Sequence, residues 1–114
     1  ARHPMIFKAV GETSYQNARA NYASHQALYQ EFSPINHLSV DDPPIFMDWP
    51  PRHLDRSVPA KTPNHAIHHT MFGIKMQEKS DAIGHNQVYL RIPGADTESG
   101  SYGNRWDFLV EKLL

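Results

Sequence analysis

The sequence predicts an α/β fold: one βαβ unit, the last two parallel strands of a sheet, with flanking helices. Three observations carry that prediction. Residues 45–49 and 87–92 are short, apolar and bounded by prolines or turn residues, as strands are. Between them lies a stretch of helical period ending at Gly84, which supplies the crossover that parallel neighbours need. Amphipathic stretches at 13–32 and 106–114 stand before and after the pair. The crossover should be right-handed.

Each element has its own local reason. Arg2 to Phe7 is a short apolar run closed by Gly11, and residues 5–10 could supply an extra strand. From Thr13 the period is helical: Tyr15, Ala18, Tyr22, Tyr29 and Phe32 share one face, Thr13 and Gln16 form a capping box, and Pro34 forces the stop. Residues 33–42 are a polar connection. The run Ile45, Phe46, Met47, Asp48, Trp49 suits a buried parallel strand. Four prolines between 50 and 63 predict an ordered loop. A helix is expected from about 66 to 83, with Phe72, Met76, Lys79 and Ile83 on its inner stripe and Gly84 as its C-terminal cap. Val88, Leu90 and Ile92 alternate with Tyr89 and Arg91, so the second strand has one wetter face. Pro93 and Gly94 end it, residues 95–103 form a polar loop, and Trp106, Leu109, Val110, Leu113 and Leu114 trace the last helix.

Composition narrows the function classes. A chain of 114 residues is one domain or part of one, divided here into residues 1–32 and 33–114. Eleven Lys and Arg against twelve Asp and Glu leave a net charge of −1, which provides no basic footprint for nucleic acid. No apolar run reaches the roughly 18 residues of a membrane span. With no Cys, thiolate chemistry is excluded and the compartment stays open. The chain begins at Ala1 and reads as a soluble fragment. A parallel pair needs both faces and both edges covered, so the partner expected is the remainder of the domain, or a second copy paired through the edge of residues 45–49.

Ser33-Pro34-Ile35-Asn36-His37-Leu38, then Asp42-Pro43-Pro44-Ile45-Phe46-Met47, and then Leu54-Asp55-Arg56-Ser57-Val58-Pro59 carry a family likeness. With the helix, strand and Pro93-Gly94-Ala95 that follow, residues Ser33 to Leu114 resemble the C-terminal part of an α/β-hydrolase of the esterase/lipase type. The resemblance implies a partial hydrolase-like sheet, a carboxylic ester as substrate, no cofactor, and Asp55 at the position of the triad acid. It also implies a catalytic His just after Gly94-Ala95, where Asp96, Thr97 and Glu98 stand instead. The serine elbow G-x-S-x-G occurs nowhere in the chain. One triad position of three is present, so catalysis by the isolated chain is not expected.

Other residues admit two readings each. Asp55 is equally a turn aspartate paired with Arg52 or Arg56. His65, His68 and His69 form a weak metal-binding candidate near a helix start, set against a plain polar helix start. His37 and His53 read as surface residues, and Trp49 as a packing anchor. Asp48 inside an apolar strand needs a partner, Arg52 or Thr97. The function classes are therefore a segment of an ester hydrolase, a non-catalytic interaction module on a degenerate hydrolase scaffold, and a small metal-binding domain.

Overall fold

The computed structural model describes residues 4–94 and 102–114. Helices and a two-stranded parallel sheet make it a mixed α/β protein. Of the described residues, 4–37 with 57–68 form one compact unit, and 38–56 with 69–94 and 102–114 form a second.

The first unit is helical: α1 (Pro4–Lys8), α2 (Tyr15–Ala20), α3 (Tyr22–Glu31), α4 (Pro34–His37) and α5 (Pro63–Ile67). The segment at 5–10 that could have supplied a strand is mostly α1, turning off at Gly11 with φ +82°. The single helix expected from Thr13 to Phe32 is two helices meeting at Asn21. No breaker residue stands there. Instead Asn21 Nδ2 donates to Glu12 Oε1 at 2.8 Å, and this long-range bond takes hold of the side chain. The N-cap is Ser14, whose Oγ accepts from Asn17 N–H at 3.1 Å, rather than Thr13. The tyrosine stripe is no buried face: α3 buries no residue, and Tyr22 stacks on Tyr29 with ring centroids 5.6 Å apart. Thr62 caps α5 through His65 N–H, with Pro63 in the first turn.

The second unit holds β1 (Ile45–Asp48), a 3₁₀ turn (Pro51–His53), α6 (Met71–Ile83), β2 (Val88–Arg91) and α7 (Arg105–Leu113). The strands pair in parallel with Ile45 opposite Val88 and Asp48 opposite Arg91. Pleating sends Met47, Trp49, Val88, Leu90 and Ile92 to one face, where Ile74, Met76 and Ile83 of α6 pack on them. Phe46 and Tyr89 face the other way and meet Phe108 of α7 at 5.3 and 5.9 Å. The expected wetter face of β2 is thus an aromatic one, with Lys112 Nζ 5.2 Å from the Tyr89 ring centroid.

The crossover helix also differs from the expected one. It begins at Met71, not near 66, because His69 Nδ1 accepts the Met71 N–H at 3.1 Å and sets a new start. Its inner stripe holds Gly73 and Ser80, whereas Phe72 is exposed. Trp49 decides this. A Cβ at Gly73 would overlap Trp49 Cη2 and lie 3.0 Å from Leu90 Cδ2, so only glycine admits the indole. Gly84 ends α6 at φ +81°, the left-handed cap.

Candidate functional site

In an open parallel sheet, ligands bind beyond the carboxyl ends of the strands. In the second unit that end carries two charged residues. Asp48 and Arg91 close their strands in register, and Arg91 Nη1 donates to Asp48 Oδ1 at 3.0 Å. Both side chains are about one-third exposed (33% and 37%). Asp48 is therefore an exposed strand-end carboxylate, not a buried one. Its partner is Arg91, not Arg52, and Thr97 lies outside the described residues. Parallel register is the signal that pairs them, since it sets position 48 against position 91.

Asp55 follows in the loop that leaves β1, after the 3₁₀ turn, and is exposed. Chain order thus puts it on the carboxyl side of the strand. Residues 95–101, where the expected His position falls, lie outside the described residues.

The three clustered histidines do not share a helix face. His65 lies in α5, His68 is that helix's C-cap, and His69 precedes α6. His65 Nδ1 accepts from Lys61 N–H at 3.1 Å, and His69 Nδ1 accepts from Met71 N–H. Both rings thereby use a ring nitrogen to terminate backbone. Among the described residues no group of three or more His, Asp or Glu is placed to hold a metal ion. His37 is exposed, with Nε2 donating to the Glu31 carbonyl at 2.7 Å. Arg52 Nε donates to His53 Nε2 at 3.1 Å.

Sequence reasoning missed a serine–histidine pair. Ser80 Oγ and His85 Nδ1 lie 2.8 Å apart, and His85 Nε2 is 3.0 Å from the Asp42 carbonyl. A carbonyl only accepts, so Nε2 carries a proton, and in the neutral imidazole Nδ1 accepts from the Ser80 hydroxyl. Ser80 is 0% exposed, out of reach of any substrate. The pair also sits at the wrong end of the sheet. Trp49 meets the first turn of α6 and Ser80 belongs to its last, next to the start of β2. It is a structural pin joining the β1 entry to the β2 entry. The spacing Ser-x₄-His across a glycine cap was its only trace in the sequence.

Shifted acidities lie elsewhere. Hydrogen bonds from Asn21 and then His25 hold Glu12 below its ordinary carboxylate value. The Ser39 hydroxyl does the same for Asp41. Burial, with a hydrogen bond to Glu111, raises the Tyr102 phenol, and a hydrogen bond with Tyr89 raises Lys112. Among the described residues no helix is long and apolar enough to cross a membrane. Compared with protein-family models, curated proteins and solved structures, the chain matches none.

Proposed function

We propose that residues Ser33 to Leu114 are the closing segment of an esterase/lipase-type α/β-hydrolase sheet, and that the chain by itself does not catalyse ester hydrolysis. The observation that supports this reading best is the parallel pairing of β1 and β2, with α6 on one face, α7 on the other and Asp55 in the loop leaving β1. In this reading Asp55 holds the triad acid's place, where it orients an imidazole supplied from outside the chain. The nucleophile comes from outside as well, since no G-x-S-x-G is present. The substrate class is a carboxylic ester.

A second reading has a specific observation behind it. Asp96, Thr97 and Glu98 stand where the family carries its His, and none acts as an imidazole does at neutral pH. That favours an interaction module that keeps the hydrolase scaffold without its chemistry. Hydrolysis of p-nitrophenyl acetate by the chain and by Asp55→Asn tests the shared claim. No turnover above background is expected from either. Clear turnover that vanishes in Asp55→Asn would overturn it. The coding sequence upstream of Ala1 separates the two readings. A G-x-S-x-G there supports the hydrolase segment, and a stop codon supports the module.

A further inference from the structure

The two edges of the sheet are not equivalent. Ile45 N–H donates to the Gln87 carbonyl at 2.8 Å and Trp49 N–H to the Arg91 carbonyl at 3.0 Å. In a parallel ladder this turns the main-chain groups of Phe46 and Asp48 outward on β1, and those of Val88 and Leu90 outward on β2. The β2 edge is guarded, because Gln77 Nε2 donates to the Val88 carbonyl at 3.1 Å. Among the described residues nothing pairs with the β1 edge.

A second unpartnered surface lies beside it. With Phe108 and Lys112 set toward the sheet, about 100° per residue puts Asp107 and Glu111 on one flank of α7. Leu109, Leu113 and Trp106 fall on the opposite flank, 36%, 75% and 68% exposed. The Tyr102 ring, just before α7, packs on Tyr89 (5.1 Å) and Phe46 (6.3 Å). Phe108 is closer to Phe46 (5.3 Å) than to Tyr89 (5.9 Å), so α7 lies on the β1 side of the strand pair.

We propose that this edge is a homodimer interface, in which a second copy of the chain adds its β1 antiparallel about a two-fold axis. Phe46 pairs with Asp48 of the copy, and Asp48 with Phe46. Four main-chain hydrogen bonds form, with Met47 against Met47 at the centre. The flanking prolines select this register. Slipping by two residues one way brings Pro44, which has no N–H, opposite Asp48. Slipping the other way sets Asp48 against Asp48 and brings Pro50 opposite Phe46.

Helix spacing fits the same axis. Phe108 sits between Phe46 and Tyr89, so α7 runs about half a strand spacing inside β1. With strands about 4.8 Å apart, the two-fold places the two α7 axes roughly 10 Å apart on one face of the joined sheet. That is the ordinary packing distance of helices, and the proposed contact uses the apolar flanks. One operation covers both unpartnered surfaces, and being two-fold it closes. The dimer uses the edge on which the remaining strands of a hydrolase sheet would pair, so it describes the chain without those strands.

Sedimentation velocity of the whole chain at tens of micromolar tests it. The expected species has twice the 13.0 kDa monomer mass. Asp48→Pro removes two of the four bonds at an edge position that tolerates proline. Leu113→Lys charges the α7 flank at an exposed site. Each variant is expected to sediment as a monomer with unchanged circular dichroism, whereas Asp48→Asn, which keeps its N–H, stays dimeric. A monomeric wild type, a dimer indifferent to both variants, or open-ended polymers would overturn the interface. The ester assay judges the functional reading separately.

Discussion

The βαβ unit buries Leu38, Trp49, Val88, Leu90 and Ile92 as one contiguous cluster, whereas the helical unit buries only Val10 and Ala18 among its described apolar side chains. The helical unit depends on polar ties instead: Ser14 capping α2, Thr62 capping α5, and Glu12 Oε1 taking both Asn21 Nδ2 at 2.8 Å and His25 Nε2 at 2.7 Å. The comparison separates two ways of stabilising a small unit. Apolar burial is insensitive to salt and pH, while exposed polar ties are screened and titrate. Both tryptophans, Trp49 and Trp106, belong to the βαβ unit, so their fluorescence reports that unit.

The largest effect is expected from the centre of the cluster. Leu90 is 2% exposed, and Leu90→Ala should cost about 2–5 kcal/mol, read from tryptophan fluorescence in a urea titration. A loss below about 1 kcal/mol would dissolve the contrast between the units. Next comes Gly73→Ala. Overfilling the space beneath Trp49 should destabilise by about 1–3 kcal/mol, although alanine is the better helix former. A stabilised variant would mean that Trp49 does not rest on α6.

Thr70→Val should change the sign. The Thr70 side chain is fully buried and its Oγ1 has no hydrogen-bond partner among the described residues, which leaves its desolvation penalty unrelieved. Replacing the hydroxyl by a methyl is expected to raise the unfolding free energy by about 1 kcal/mol, checked in the same titration. The smallest effect concerns the helical unit. The folded-state acidity of Glu12 lies below its unfolded value, so its contribution is complete above the ordinary glutamate range of about 4.3. It is lost as pH falls through the lower folded value. Far-UV circular dichroism during acid titration should therefore show helix loss that Glu12→Gln moves or removes, with Trp fluorescence unchanged over that step. Simultaneous loss of both signals would show that the two units unfold as one.

Much of the βαβ unit was legible because its signals are local. The alternation of Val88, Leu90 and Ile92 named the buried face of β2, and Gly84 named the end of α6. The breaks at Asn21 and at 68–70 were not legible. Each depends on a bond to a residue that periodicity does not weigh: Glu12 reaching Asn21, and a histidine nitrogen capping Met71. The candidate site divides in the same way. Asp55 is an expectation drawn from a short motif, whereas the Asp48–Arg91 pair required the strand register.

By itself the sequence determined where the strands and the last helix lie, which residues are aromatic or charged along them, and that no serine elbow is present. Tertiary structure alone decided that Gly73 faces the core and Phe72 does not, because the Trp49 ring claims that space. It also decided that Ser80 and His85 form a buried pin rather than a catalytic pair. Burial and direction toward a backbone carbonyl are properties of packing, and neither is written in the spacing of the two residues.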